Sequence, residues 1–505
     1  MSNKNSFYKC IVCLAIICCT HYMFAQTNKV KSVNLDPTPQ NKNYTYQHNT
    51  NPGSQWFPDA GIGMFIHWGI SSVNELDLSW PMRAGTQIGW RNPKLSDEEV
   101  KKIMDSGNYI AGHECESKNN CITPNEYFAL AKDFNPKNCD PEKWVKAAKD
   151  AGMTYAVFTA KHHDGFAMWP SAYGNFNTKN YLGGRDFVKE YVNACRKYGL
   201  KVGLYFSPPD WYFDGDFQNF MYYGVARDYH NIPALDRDLK PRTAIKTNEE
   251  KQAHYNEVAQ FIKGQIEELL INYGKIDVLW LDTDGVTVIP KDNPAWDKCI
   301  SMDRIRQLQP GILITPRLYG VGDYKTYESD KNIPTEMQDG WAEFCTTIAT
   351  DETWGYTKVP LKSTAHVLNN MIKARVLNTN SLLNFGPDKE GDFSPAMYKS
   401  LGEISAWMKV NAKSIVGAKA ISGTEKASVP ATMNANHRYL FLLSEEKELH
   451  KDKKVIFKTN GTVKAVRLSG SRTKLRYAVQ QNEMIIYVPA FLRTSLPDVI
   501  DVELK

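Results

Sequence analysis

The sequence lacks the features that mark several large classes of protein. After the N-terminus, no stretch approaches the roughly 20 apolar residues that a membrane-spanning helix needs. The net charge is only +5 over 505 residues and no block of Lys and Arg stands out, so nucleic acid is not an expected partner. No Gly-x-Gly-x-x-Gly follows the first predicted strand, which argues against a dinucleotide-binding fold.

Cysteine is also scarce, with 10 residues in the whole chain. Six of them lie beyond the N-terminal apolar stretch: Cys115, Cys121, Cys139, Cys195, Cys299 and Cys345. This thin scatter excludes a disulfide-built framework. Cys115 and Cys121 are the pair expected to close a small loop in an oxidising compartment.

The N-terminus has the charged, apolar and small-residue order of a secretory signal peptide. Lys4 and Lys9 precede the apolar run 10–19, and Ala25 precedes Gln26. The pattern predicts a signal peptide over residues 1–25, hence an exported, periplasmic or secreted protein with no membrane span. Lipid anchoring at Cys18 or Cys19 is less favoured, because the residues before them are not small. Residues 26–50 are polar and are predicted to form a flexible leader.

Strands alternate with helices from residue 51 to about residue 414. Strands are predicted at 61–69, 155–160, 201–207, 276–281 and 312–315. Helices are predicted at 140–151, 186–198, 251–273, 303–309, 363–376 and 395–410. This alternation indicates an α/β fold with a parallel sheet, and an irregular (β/α)8-like barrel is favoured over an open sheet. The polar insertion at 83–123 is expected to shape the entrance of a site.

The pattern changes after about Ile415. Short β-type runs follow one another, divided by turn pairs such as Asn460-Gly461 and Ser469-Gly470. They predict a C-terminal all-β sandwich domain over residues 415–505.

The segment Lys161-His162-His163-Asp164-Gly165-Phe166 directly follows the apolar strand 155–160. Ligands and catalytic groups lie at this end of the strands in α/β barrels. Consecutive side chains of a strand alternate between faces, so we expect only one of the two histidines to face the barrel mouth. A metal site is an alternative, although no HxxxH or CxxC spacing accompanies the pair. A loop that carries the histidines without a task is the other alternative.

Other polar residues stand at the ends of predicted strands. They are His67, Tyr205 with Asp210 and Trp211, Asp282 with Asp284, and Arg317. Asp282 is the candidate nucleophile, because a carboxylate at the end of an apolar strand is costly unless it is hydrogen-bonded or has a task. Such a nucleophile needs a second carboxyl group to protonate a leaving oxygen. The downstream candidates are Asp323, Glu328, Asp330, Glu336, Asp339 and Glu343, and composition does not choose among them.

Several motifs, in this order, resemble the α-L-fucosidases of glycoside hydrolase family 29. The resemblance covers almost the whole chain after the signal peptide and rests on Trp56-Phe57, residues 63–69, 150–155, 161–166, 203–207 and 279–282, Trp354-Gly355-Tyr356 and residues 380–387. It implies a (β/α)8-like barrel with a C-terminal β-sandwich. It also implies an exo-acting retaining glycoside hydrolase that releases terminal α-L-fucose from glycans by double displacement, without cofactor or metal.

The resemblance assigns roles to residues of this chain. Asp282 matches the family's nucleophile. Glu328 is the favoured acid/base and Glu343 the alternative. The residues that match sugar-binding positions are His67, Trp80, His162, His163, Tyr205, Trp280 and Arg317. A retaining mechanism predicts that the two carboxyl groups lie about 5–5.5 Å apart.

The chain also departs from the family pattern. It has Ser79-Trp80 where relatives often carry Glu-Trp, so Trp80 can still stack on a sugar but a carboxylate contact is missing. This difference leaves open an α-L-galactosidase acting on an algal-type or other complex polysaccharide, because a hydrophobic pocket discriminates poorly against one added hydroxyl. A catalytically silent sugar-binding protein is an alternative of another class. The expected partner is a fucosylated or L-galactose-containing oligo- or polysaccharide.

Overall fold

The structure is a computed structural model that describes residues 44–85, 95–105, 122–229, 231–283, 287–444, 451–471 and 473–505. The predicted signal peptide, most of the leader, the Cys115 and Cys121 pair and Asp284 lie outside these residues. In the described parts of the chain, no helix is long and apolar enough to cross a membrane.

Eight parallel strands form the sheet that carries the site. The first ten strands of the chain are β1 (Thr45–Tyr46), β2 (Ile62–Ile66), β3 (Tyr155–Lys161), β4 (Lys201–Phe206), β5 (Val278–Leu281), β6 (Leu313–Ile314), β7 (Val321–Gly322), β8 (Lys325–Glu328), β9 (Ala342–Thr347) and β10 (Thr379–Phe385). The curved sheet has the order β6-β5-β4-β3-β2-β10-β9-β8, and β1 pairs separately with β7. The predicted barrel-like α/β fold is confirmed.

Every residue of β2, β3 and β10 is buried. Strands that are covered on both faces are typical of parallel sheets, because the connecting helices pack outside and the barrel interior packs inside. The α-helices are Asp97–Asp105, Pro124–Ala129, Pro141–Asp150, Thr178–Tyr181, Phe187–Tyr198, Trp211–Asp214, Tyr223–Asp228, Asn248–Asn272, Met302–Leu308, Thr364–Arg375 and Pro395–Asn411. The strands and helices predicted from the alternation therefore exist, with their ends moved by a few residues.

Asp323, two residues before β8, links this segment of the chain to β6. Its side chain accepts hydrogen bonds from the backbone N–H of Ile314 and of Asn49, both at 2.6 Å, and from Arg306 at 2.8 and 2.9 Å. The carboxylate is buried and its oxygens are occupied by these structural donors. Residues 44–50 of the predicted leader lie against the barrel here, through Asn49 and the β1–β7 pair.

The C-terminal strands form two antiparallel sheets. One has the order β11-β13-β14-β19-β16 and the other the order β12-β15-β18-β17. The strands are β11 (Lys419–Ala420), β12 (Lys426–Ala427), β13 (Ala431–Asn434), β14 (His437–Leu442), β15 (Lys453–Lys458), β16 (Val463–Leu468), β17 (Arg476–Gln480), β18 (Glu483–Val488) and β19 (Asp498–Leu504). Leu440, Phe457, Ile486 and Ile500 are fully buried in a shared core, as in a β-sandwich.

Candidate active site

The turn after β3 carries the two adjacent histidines His162 and His163. The strand ends at Lys161, so His162 and His163 already lie in the turn. The alternation rule for strands therefore does not apply to these two residues, and the prediction that only one histidine faces the mouth stays a prediction. Both rings are buried and their centroids are 4.3 Å apart.

Lys161 points away from the histidines. Its ammonium group lies 3.0 Å from Asp210 and 2.9 Å from Gln265 of the helix Asn248–Asn272. Asp210 in turn accepts a hydrogen bond from the backbone of Phe213 and begins the helix Trp211–Asp214. The sequence grouped Lys161 and Asp210 with the site. Their ion pair instead anchors the turn that carries the histidines.

Asp282 lies directly after β5, where the strand predicts it. Its Oδ2 accepts a hydrogen bond of 2.8 Å from the Tyr205 hydroxyl, and its Oδ1 accepts one of 2.7 Å from Arg317. Nε2 of His163 is 3.8 Å from Oδ2. Asp282 is only 6% exposed, and the Tyr205 hydroxyl and the Arg317 guanidinium occupy one carboxylate oxygen each.

Arg317 brings a second carboxyl group to the same place. Its other terminal nitrogen donates to Glu328 Oε2 at 2.7 Å. The guanidinium carbon lies 4.5 Å from the centroid of the Trp280 ring, which supports the guanidinium from one side. Glu328 ends β8, and its side chain keeps 29% exposure, so it faces the open side of the site.

Glu343 lies elsewhere, inside the barrel. Its carboxyl group accepts hydrogen bonds from the Tyr155 hydroxyl at 2.6 Å and from the Trp280 indole at 2.9 Å. Tyr155 is the first residue of β3, so Glu343 belongs to the end of the barrel opposite the histidines. Burial raises the pKa of Glu343 to about 7 despite these two donors. Both carboxyl oxygens are occupied within the core.

The other acids suggested by the sequence have partners outside the site. Asp323 is held by Ile314, Asn49 and Arg306. Asp330 is bound by Thr346, Lys362 and His366. Asp339 pairs with Lys325 at an exposed position, and Glu336 is exposed. Among the six candidates, the geometry brings only Glu328 to Asp282.

The three imidazoles of the site are held neutral. Burial lowers the pKa of His67 to about 4, against smaller opposing effects of Asn384 and Asp282. Burial also lowers the pKa of His162 and of His163 well below the usual range, and the positive charges of Arg83, Arg317 and Lys161 add to the effect at His163. Neutral imidazoles can both donate to and accept from sugar hydroxyls, whereas imidazolium groups only donate.

Each histidine has a partner that fixes its ring. Nδ1 of His67 lies 2.7 Å from Oδ1 of Asn384, whose amide nitrogen donates to the Trp354 carbonyl. Nδ1 of His162 and Nδ1 of His163 lie 2.6 Å from the hydroxyls of Ser79 and Ser207, respectively. The proton of His67 therefore sits on Nδ1, leaving Nε2 as an acceptor.

Aromatic rings form the walls. Tyr205 stacks on His162 with centroids 5.6 Å apart and on Trp280 at the same distance. Trp80 is 5.2 Å from His163, measured between ring centroids. All seven predicted sugar-binding residues thus form one connected group, together with Asp282 and Glu328.

Sequence reasoning missed the supporting partners of this group. Asn384 and Ser207 fix two imidazoles, and Trp354 lies 5.2 Å from His67 between ring centroids, although the sequence offered all three only as parts of motifs. The strand β10 is polar at several buried positions, including Asn384. This pattern was the signal in the sequence that could have revealed the role of Asn384. In the described residues, no three His, Cys, Asp or Glu side chains are placed together to hold a metal ion.

Comparisons with known proteins find matches in one family. The sequence profile of the family described as Alpha-L-fucosidase matches residues 29–413. The tissue alpha-L-fucosidase of Rattus norvegicus is 27% identical over 385 residues, which cover 73% of this chain and 71% of that protein. The human tissue alpha-L-fucosidase is 26% identical over 378 residues, covering 73% and 70% of the two chains.

Two solved structures are similar over nearly the whole chain. Alpha-L-fucosidase isoenzyme 1 from Paenibacillus thiaminolyticus superposes with a TM-score of 0.65 at 28% identity, over 90% of this chain and 99% of that one. A family 29 alpha-L-fucosidase from Bacteroides thetaiotaomicron superposes with a TM-score of 0.67 at 25% identity, over 92% and 99%. The latter structure is of a trapped covalent intermediate with 2-fluoro-fucosyl fluoride, obtained with a Glu-to-Gln mutant.

Proposed function

Since this chain belongs to the alpha-L-fucosidase family and is a glycoside hydrolase, we propose that it releases terminal α-L-fucose from glycans by a retaining double displacement. The observation that carries the proposal is the pair of carboxyl groups on one guanidinium group, Asp282 and Glu328 on Arg317. The covalent intermediate trapped in the Bacteroides thetaiotaomicron relative supports the retaining route.

In the first step, Asp282 attacks the anomeric carbon of the fucose while Glu328 protonates the leaving oxygen. In the second step, Glu328 removes a proton from water, which displaces Asp282 from the sugar. Arg317 donates a hydrogen bond to each carboxyl group and holds both in place. The expected separation of about 5–5.5 Å between them stays a prediction of this mechanism.

The sugar lies among neutral hydrogen-bonding groups in this proposal. His67, His162 and His163 contact its hydroxyls, and the rings of Trp80 and Trp280 cover its apolar faces. Water exclusion by these buried groups strengthens the hydrogen bonds that form as charge develops on the ring. The chain's own side chains supply the acid, the base and the nucleophile.

The test is hydrolysis of an aryl α-L-fucoside by the purified protein, with Asp282→Ala as the inactive control. Asp282→Gly with added azide is expected to produce a fucosyl azide, because azide takes the place of the missing nucleophile. Unchanged turnover in Asp282→Gly would remove Asp282 from this role. A protein that binds fucose but cleaves no fucoside would instead be a sugar-binding protein that has lost turnover.

An α-L-galactosidase is the second candidate, and Ser79 favours it. Ser79 stands at the position that often holds glutamate in relatives, so this position carries a small, uncharged group. The Ser79 hydroxyl bonds to His162. L-Galactose differs from L-fucose by one hydroxyl at C6, and a hydrophobic pocket rejects such an addition only weakly. Comparing kcat/KM on aryl α-L-fucoside and aryl α-L-galactoside decides between the two sugars. A clear preference for the galactoside would replace the fucosidase assignment.

We further propose that the protein is exported. The order of Lys4, Lys9, the apolar run 10–19 and Ala25 supports cleavage before Gln26. Mass spectrometry of the mature N-terminus tests this: an intact Met1 contradicts export, and a lipid-modified Cys18 or Cys19 identifies the anchored alternative.

A further inference from the structure

We propose that a basic pocket beside the candidate active site binds an anionic group, a sulfate ester or a carboxylate, on the saccharide to which the fucose is attached. The inference rests on the proposed function, because it assigns the leaving-group side of the same site. It adds a substrate class, the acidic glycans, to the proposed fucosidase.

The pocket is a cavity of about 590 Å³ on the site face of the barrel. Its walls come from the connections that follow β2, β4 and β5, through Arg83, residues 217–246 and residues 287–288. The first turns of the helix Asn248–Asn272 complete it. All three connections begin at the carboxyl ends of barrel strands, which is where substrate-contacting loops of such barrels lie.

The pocket and the candidate active site share a wall. Arg83 lines the pocket, and its guanidinium carbon lies 4.7 Å from the centroid of the Trp211 ring. On its other side, Trp211 lies 5.3 Å from His163 and 5.7 Å from Trp80, both measured between ring centroids. A group bound in the pocket is thus separated from the fucose position by about one layer of aromatic rings.

The charge of the pocket has one sign. Five cationic residues line it, Arg83, Arg227, Arg242, Lys246 and Lys251, and the described part of the lining contains no Asp or Glu. Such a concentration of like charge in a cavity attracts an anion and costs stability when no anion is present. A surface placed only for solubility normally mixes the two signs.

The cations differ in how they are held. Arg83 is buried and donates to the Met221 carbonyl at 2.7 Å. Arg242 donates to the backbone carbonyls of Asp216 and Gln218, so its charge is not neutralised by these partners. Arg227 pairs with Asp228.

Lys246 and Lys251 form no ion pair with any carboxylate in the part of the chain that the structure describes. These two lysines are therefore the groups expected to contact an added anion most directly. They are also the groups whose removal disturbs the surrounding structure least.

Aromatic residues share the pocket with the cations. Phe217, Tyr223 and Tyr255 line it, and the Lys246 ammonium lies 4.9 Å from the centroid of the Phe217 ring. Aromatic faces pack against the C–H faces of a sugar ring, while the cations bind its charged substituent. This combination fits an acidic saccharide unit.

The test compares fucosyl disaccharides that differ only in the leaving sugar: neutral galactose, singly sulfated galactoses and a uronic acid. We expect kcat/KM to be on the order of tenfold higher for at least one acidic disaccharide than for the neutral one, mainly through KM. The preference should shrink as NaCl rises, because salt screens the attraction. Preference for the sulfated or for the uronic substrate identifies which anion is bound.

Lys246→Gln combined with Lys251→Gln should lower the acidic-over-neutral preference about three- to tenfold and leave hydrolysis of a neutral aryl α-L-fucoside unchanged. The matched control is Lys263→Gln. Lys263 is an exposed lysine outside the pocket, on the helix Asn248–Asn272 that also carries Lys251, and its replacement should change neither the acidic-over-neutral preference nor the hydrolysis of the aryl α-L-fucoside. Equal kcat/KM on neutral and acidic disaccharides, or a preference that survives in the double variant, overturns the inference. Absence of hydrolysis of the aryl α-L-fucoside would instead contradict the proposed function.

Discussion

Asp282 and Glu328 accept hydrogen bonds from the two terminal nitrogens of a single guanidinium group, that of Arg317, at 2.7 Å each. In the proposed mechanism, one fixed cation serves two carboxyl groups that must differ in charge at the start of the reaction. When Glu328 carries the proton for the leaving oxygen, the charge of Arg317 is balanced by Asp282 alone. In that mechanism, the Arg317 bridge links the proton on Glu328 to the charge on Asp282.

Replacing Arg317 by Lys tests this bridge. A single ammonium group cannot present two parallel donors, so one carboxyl group loses its partner although the charge is kept. We expect kcat/KM on an aryl α-L-fucoside to fall by a factor on the order of 10² or more. Thermal unfolding of the variant serves as the control for folding. Near-normal turnover in a folded Arg317→Lys protein would show that the bridge has no catalytic importance.

Glu328→Gln and Glu343→Gln distinguish the two candidate acids. Glu328→Gln should slow hydrolysis of natural fucosides by a factor on the order of 10²–10⁴, because they need a protonated leaving oxygen. Substrates with an activated leaving group, such as fucosyl fluoride, should be affected much less in the first step, and azide should restore turnover. Glu343→Gln should keep activity on both substrate types. The reverse pattern would move the acid/base role to Glu343.

The buried carboxyl of Glu343 should also make stability depend on pH. Its pKa is about 7 in the folded protein and 4.5 in an exposed reference, so the folded state binds the extra proton between these values. Stability conferred by this group is therefore fully present below about pH 4.5 and is lost as pH rises to about 7, on the order of 3 kcal/mol in total.

Glu343→Gln mimics the neutral acid and removes this titration. Denaturant unfolding of both proteins at several pH values should show the difference in stability changing in favour of the variant as pH rises from 4.5 to 7. A difference that stays constant over this range would mean that Glu343 does not titrate with a raised pKa.

The sequence predicted the barrel elements best where apolar runs are continuous. The strands that became β3, β4 and β5 carry a buried residue at almost every position, and the candidate residues at their ends were found with them. The strands β8, β9 and β10 were not predicted. They contain residues such as Glu343, Thr346 and Asn384, whose polar side chains are satisfied by partners distant in sequence.

The same limit explains what the sequence left open in the site. Whether His162 and His163 share a face depends on where β3 ends, which a residue pattern fixes only to within a few positions. The choice between Glu328 and Glu343 depends on which strand end each occupies, and the hydrophobic periodicity of the sequence did not reveal those strands. The resemblance to a known family supplied the residue set; contacts across the barrel supplied its arrangement.

The turn that carries His162 and His163 needs a glycine at position 165. Its φ of +94° lies in the left-handed region, and a Cβ there would stand 2.0 Å from Oδ1 of Asp210. Asp210 is the partner of the buried Lys161, so a displaced Asp210 would also weaken that ion pair. We expect Gly165→Ala to lower the free energy of unfolding by on the order of 3 kcal/mol and to reduce kcat/KM, because the turn shifts His162 and His163.

Gly184→Ala is the matched control for this variant. Gly184 has a similar φ of +84°, but nothing lies within 4 Å of its Cβ position. It should therefore show the backbone penalty of about 1 kcal/mol without the collision and without a change in kcat/KM. Chemical denaturation and aryl α-L-fucoside kinetics measure both effects. If the two variants lose equal stability and keep equal activity, the contact between Gly165 and Asp210 does not position the histidines.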